Sequence, residues 1–322
     1  MKKLSTVLFI LITIFSAAGN NAWALPYTNL YAFGDSLSDG GDSPSAVLSI
    51  YKRLGGNCDP FHPCPPYING RYSNGEVAVE YLAKQILPGG ASSTHFFNYA
   101  VSGATTGIGN FGDNGTTSTP GTLGLPGMNQ EFELYLSNVN EIADSQALYF
   151  IWGGANDFLT GNAPDQAAQN IANYVNTLIS AGAESFFIPN LPDLSLTPFA
   201  QIVGIEAIAH AFSEAFNTQL AMLLDNLALQ FPFVNIIQFD INAVLMEAIQ
   251  HPSQFGFTNA QNACLLVMCS NPETFVFWDD FHPTTQAHAV FASLFANAIP
   301  VPTTLFLVII GLPFVRLFRS PR

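Results

Sequence analysis

Five short runs of β-prone, almost continuously apolar residues recur along the chain, and they restrict its fold more than any other feature. They are NLYAF at 29–33, FFNYAV at 96–101, ALYFIW at 147–152, SFFIPN at 185–190 and FVNIIQF at 233–239. A strand without polar alternation has no face to give to water, so such runs belong in a parallel sheet covered on both sides. The segments between them carry helical patterns over 76–85, 165–181, 198–229 and 241–250, and another follows at 284–298. Strands alternating with helices predict an α/β fold, a doubly wound parallel sheet.

Core material is ample: 49% of residues are hydrophobic and 28 are Phe, which excludes a disordered chain. Residues 25–299 read as one domain, with 51–75 and the Gly/Thr/Ser/Asn-rich 105–127 as its excursions. Residues 1–24 read as a secretory signal, with Lys2 and Lys3, the apolar Val7 to Phe15, and Ala22-Trp23-Ala24 as the cleavage site. The net charge of −14 becomes more negative without those lysines, and an acidic surface repels nucleic acid. Four cysteines suit an exported chain. Their close spacing favours local disulfides, Cys58 with Cys64 and Cys264 with Cys269, among the three connectivities. Zinc is the rival reading, but C-x-x-C spacing is missing and only His62 lies nearby.

Chemistry is expected where strands end, since open parallel sheets bind ligands beyond their carboxyl ends. In YAFGDSLSDGGD the first run stops at Gly34 and leaves Ser36 standing at its carboxyl end, a candidate nucleophile. Serine needs a base and a group that orients the base. His62, His95, His210 and His251 read as surface or core histidines. His282 differs: in FVFWDDFHPTTQAH it stands three residues after Asp279 at a tight turn, near enough for the carboxylate to fix its tautomer. His288 reads as an exposed residue of the last helix rather than a metal ligand. An oxyanion also needs donors. Gly103, after the second run, offers a backbone N–H, and Asn156, after Gly153-Gly154, offers an amide.

These blocks resemble the GDSL type of the SGNH hydrolase superfamily. FGDSLSD matches the block of the nucleophile, NYAVSGATT and GAND match the two blocks of oxyanion donors, and DDFHPT matches the D-x-x-H-P block. NGRYSNGEVAVEYLA at 69–83 also resembles a segment of these enzymes. The resemblance implies a three-layer α/β/α sandwich with a five-stranded parallel sheet, flavodoxin-like in outline. It implies that Ser36 attacks an ester carbonyl, His282 takes the proton and Asp279 orients the imidazole. It also implies that the N–H groups of Ser36 and Gly103 and the amide of Asn156 hold the oxyanion. Asp157 orients its loop, and Asp39 and Asp280 are turn residues. The G-x-S-x-G elbow of the other common serine-hydrolase sheet is absent, because residue 38 is Ser.

The expectation is an exported serine esterase or lipase, periplasmic, envelope-bound or secreted, monomeric and without cofactor or metal. Its partner is an ester or lipid substrate. Acyl or (lyso)phospholipid esters lead, because Leu123, Leu125, Pro126 and Met128 at the edge of the long loop suit an acyl chain. A carbohydrate acetylesterase is the alternative, and a non-catalytic surface binding protein on the same fold is the alternative of another class. Residues 300–322 form a hydrophobic tail with a basic end, Arg316, Arg319 and Arg322. The tail resembles the PEP-CTERM type of envelope-sorting signal, with Pro300-Val301-Pro302 where that signal has Pro-Glu-Pro, and it offers a membrane contact. A terminal helix docked on the domain is the other reading.

Overall fold

Alternate residues of each apolar run go to opposite faces of one sheet, as the period of a strand requires. The computed structural model describes Tyr27 to Pro300, so the expected leader and all of the tail beyond Pro300 lie outside the described residues. The strands are β1 (Leu30–Gly34), β2 (Phe96–Asn98), β3 (Leu148–Trp152), β4 (Ser185–Pro189) and β5 (Asn235–Phe239). They pair in parallel in the order β2-β1-β3-β4-β5. Tyr31, Phe33, Tyr149, Ile151, Phe186 and Ile188 point to one side. Ala32, Leu148, Phe150, Trp152 and Phe187 point to the other.

Nine α-helices lie among the described residues: α1 (Ile50–Arg53), α2 (Ala78–Ile86), α3 (Met128–Asn138), α4 (Ala155–Leu159), α5 (Pro164–Ala181), α6 (Pro198–Val203), α7 (Glu206–Gln230), α8 (Ile241–Gln250) and α9 (Thr285–Ala298). Buried residues of α3, α5 and α7 join the first face, and those of α2, α8 and α9 the second. This is the expected three-layer sandwich. Phe33 stacks on Phe132 at 4.1 Å between ring centroids, and truncating a buried aromatic of this kind costs about 3–5 kcal/mol. Because β1 lies between β2 and β3, the chain leaves it in one direction and returns on its other side. The crevice of the sheet therefore opens beyond Gly34.

Four local readings need correction. The helix expected over 198–229 is two, because Gly204, at φ +75°, caps α6 in the left-handed conformation and its N–H goes to Ala200 O. Helix α3 escaped the pattern because Glu131 interrupts its buried stripe of Met128, Phe132 and Tyr135. A small parallel pair, β6 (Asn259–Ala263) with β7 (Phe275–Phe277), is additional to the expected sheet: the aromatic run from Phe275 is legible as a buried segment, but its partner NAQNA has no strand composition and is extended only through the pairing. His288 is buried rather than exposed: it lies on the α9 stripe with Phe291, Ala292 and Phe295. Its Nδ1 has no partner among the described residues, and burial pushes the imidazole down to about 3, so it is held neutral.

Candidate active site

The exit of β1 is built by close approach. Gly34 has φ +153°, and a Cβ there would stand 2.1 Å from the carbonyl oxygen of Trp152, so no side chain fits. Its N–H donates to Glu131 at 2.9 Å, and the N–H of Val101 donates to the same carboxyl at 3.1 Å. Glu131 thus ties the ends of β1 and β2 together from α3. Leaving such buried N–H groups unpaired would cost about 1–3 kcal/mol each. Burial pushes the Glu131 carboxyl well above the usual range, and the two N–H donors oppose that. Asp39 makes a second tie. It accepts from Gly41 N, Ile50 N, Ser102 N and Ser102 Oγ at 2.7–2.9 Å, which joins the Ser36 turn to the loop carrying Gly103. Asp39 is therefore more than the turn residue expected.

His282 Nε2 lies 2.9 Å from Ser36 Oγ, across 246 positions of chain. Its Nδ1 lies 2.8 Å from Asp279 Oδ2, and Asp279 Oδ1 also accepts from the N–H groups of Phe281 and His282. The carboxylate therefore fixes both the turn and the ring. Burial pushes the Asp279 carboxyl up, but the His282 charge and these donors outweigh it and hold the group below the ordinary value. For His282, burial pushes the imidazolium down, and Asp279, with help from Asp35 and Asp280, more than reverses it. Asp35 itself is pushed up to about 7 by burial, and its Oδ2 has no partner among the described residues. An alcohol touching an imidazole that is backed by a carboxylate can lose its proton as it attacks.

Gly103 stands at φ +82°, where a Cβ would meet Asn110 Oδ1 at 2.3 Å. Asn110 grips this loop by donating to Ser102 O and Pro126 O. Neither the Ser36 N–H nor the Gly103 N–H has an acceptor among the described residues. Asn156, in the first turn of α4, donates one amide hydrogen to Ala104 O at 3.0 Å, and a second hydrogen remains on that nitrogen. Its neighbour Asp157 accepts from Thr106 N, Thr106 Oγ1 and Thr117 Oγ1, so it ties down the loop 105–127. Asp280 accepts nothing at its carboxyl within this network; its carbonyl receives the N–H of Phe199.

Other residues at the site were not readable in advance. Tyr67 is buried and donates its hydroxyl to Asp279 Oδ2 at 2.8 Å. Burial and the Asp279 charge push its phenol up, so it stays a protonated donor. His62 pairs with Asp59, packs on Tyr72, and sets its ring 5.9 Å from that of His282, so it borders the site instead of sitting apart from it. One atom each of His62, Asp279 and His282 lie within 4.8 Å of one another, yet both Asp279 oxygens already accept protein donors. All four cysteines are in disulfides, Cys58–Cys64 and Cys264–Cys269, which removes them as zinc ligands. Of the residues expected to meet an acyl chain, Leu125, Pro126 and Met128 are buried in the fold, and Leu123 alone is exposed. A separate cleft of about 430 Å³ beyond β4 and β5 includes Asn190, Asp193, His210 and Asp240. Its polar groups largely satisfy one another, as in Asn190 Nδ2 to Asp240 Oδ1 at 2.8 Å.

The family model described as GDSL-like lipase/acylhydrolase matches residues 30–295. A GDSL esterase/lipase of Arabidopsis thaliana is 25% identical over 82% of this chain and 86% of its own. A phosphatidylcholine-sterol acyltransferase of Aeromonas hydrophila is 26% identical over 93% of this chain and 97% of its own. A thermolabile hemolysin of Vibrio parahaemolyticus is 27% identical over 80% of this chain and 60% of its own. With a match from the first strand to the last helix, the chain belongs to the GDSL-like lipase/acylhydrolase family and is a carboxylic ester hydrolase.

Proposed function

We propose that the protein is an exported, monomeric serine esterase that cleaves acyl or (lyso)phospholipid esters through Ser36, His282 and Asp279. The observation that carries this is the 2.9 Å contact of Ser36 Oγ with His282 Nε2, backed by Asp279. As Ser36 Oγ bonds to the ester carbonyl carbon, His282 Nε2 takes its proton and Asp279 stays ionised against Nδ1–H. The carbonyl oxygen, now negative, receives hydrogen bonds from the N–H groups of Ser36 and Gly103 and from the Asn156 amide. Collapse breaks the ester C–O bond, and the leaving alcohol takes the proton from Nε2. Water then attacks the acyl-enzyme and passes a proton to His282. Release of the acid returns that proton to Ser36.

Export is supported by the leader-like residues 1–24 and by two disulfides, which persist outside the reducing cytosol. A lipid-type ester is supported by relatives named for phosphatidylcholine and for hemolysis. Labelling with a fluorophosphonate followed by peptide mapping tests the mechanism, with one adduct expected on the peptide containing Ser36. An adduct elsewhere, or none, refutes it. Kinetics across acyl lengths test the substrate class, and a preference confined to acetyl esters would favour sugar acetates instead.

Tyr67 acts in this scheme as a positioning residue. Its hydroxyl stabilises the Asp279 charge, so Tyr67→Phe leaves a more basic carboxylate, and a more basic carboxylate raises the pKa of the imidazolium it faces. The acid limb of kcat/KM, set by loss of the His282 proton, is expected to move to higher pH with KM little changed. A midpoint equal to that of the parent would reduce Tyr67 to a packing residue.

A further inference from the structure

The two disulfide loops meet beside the Asp279–His282 pair. Tyr67, Cys264 and Trp278 form one buried cluster with Cys64, Leu265, Cys269 and Phe275 packed on it. The second loop is pinned to the segment that leads into Asp279, by Cys264 N to Phe277 O at 3.0 Å and Leu265 N to Trp278 O at 2.9 Å. Its sequence, CLLVMC, is apolar throughout, yet Leu266, Val267 and Met268 are 59%, 48% and 88% exposed. On the facing loop Phe61 is 86% exposed, and its neighbour His62 borders the His282 ring. Apolar side chains in water normally turn inward. Here Cys264, Leu265 and Cys269 pack on the Tyr67–Trp278 cluster and His62 packs on Tyr72, which leaves Leu266, Val267, Met268 and Phe61 facing water on loops that adjoin the Asp279–His282 pair.

We infer that these two loop tips are a docking surface for an uncharged or zwitterionic lipid–water interface, from which the site draws its ester. The inference rests on the serine-esterase reading above. A second copy of the chain fits less well, because four side chains fall short of the roughly 800 Å² per partner of a stable complex. An anionic surface fits less well too. From Tyr27 to Pro300 the only Lys and Arg are Lys52, Arg53, Arg71 and Lys84, against all 23 Asp and Glu of the chain. Of those four, Arg71 and Lys84 are already paired with acids. Asp59, Asp279 and Asp280 lie on or beside the loops, and among the described residues their only basic partners are histidines, with no Lys or Arg paired to them.

The test uses full-length oxidised protein. Binding is read by co-sedimentation of the Ser36→Ala form with phosphatidylcholine or phosphatidylglycerol vesicles. Partition is expected to favour phosphatidylcholine and to fall roughly tenfold or more with Leu266→Asp plus Met268→Asp. Phe61→Asp, on the other loop, is expected to weaken it independently. With Ser36 restored, the Leu266/Met268 double variant is expected to hydrolyse soluble p-nitrophenyl acetate within about twofold of the parent, its chemistry being untouched. Unchanged partition in both variants overturns the inference. So does a dimer of the parent that the double variant dissociates, since the patch would then join two copies. Failure of the esterase reading is distinguishable, because it appears as no hydrolysis of the soluble ester by the parent.

Discussion

A Ser36→Ala protein is expected to lose on the order of 10⁴-fold or more in kcat toward a p-nitrophenyl ester while keeping its fold. The substitution removes the one oxygen that faces His282 Nε2. It leaves the backbone N–H at position 36, so the oxyanion donors survive and a residual rate above that of water is expected. Stability should change little, because Asp35, Ser38 and Asp39 close the turn through backbone bonds that alanine retains. Steady-state kinetics of purified parent and variant, with thermal unfolding of both, check this. Hydrolysis at the parental rate would dismiss the mechanism. A parent that is itself inert would support the non-catalytic binding protein.

Asp279→Asn is expected to cost about 10³- to 10⁴-fold in kcat for a different reason, the wrong tautomer. The asparagine oxygen can still accept from the N–H groups of Phe281 and His282, so the turn persists. Its NH₂ then faces Nδ1 and donates, which places the ring proton on Nε2, where the base must be empty. The charge that lifts His282 above the ordinary histidine value also disappears, so burial dominates and the pKa of the imidazolium falls. Titration of the His282 ring by proton NMR should show a lower midpoint than in the parent. A kcat loss below about tenfold would remove Asp279 from its proposed role.

Much of this molecule was readable because its signals are local. The five runs needed no partner to declare themselves, since unbroken apolarity over a few residues can be satisfied only inside a covered sheet. The breaks that follow them placed Ser36, Gly103 and Asn156 on one rim. Gly34 illustrates why: the glycine visible in the sequence is required by a carbonyl of β3 that passes where a side chain would stand. Composition alone, by contrast, assigns acyl contacts to Leu123, Leu125, Pro126 and Met128, and packing buries all of them but Leu123.

By itself the sequence determined the parallel sheet, the strand ends that carry chemistry, and the pairing of Asp279 with His282, because each rests on residues a few positions apart. Only the tertiary structure decided that Tyr67 reaches Asp279 across 212 positions, that Glu131 clamps Gly34 across 97, and that two cysteine loops converge beside His282. Contacts of that kind leave no period in the chain. A buried tyrosine hydroxyl or carboxyl finds whichever donor or acceptor the packing brings to it, and that partner is set by the path of the backbone through three layers.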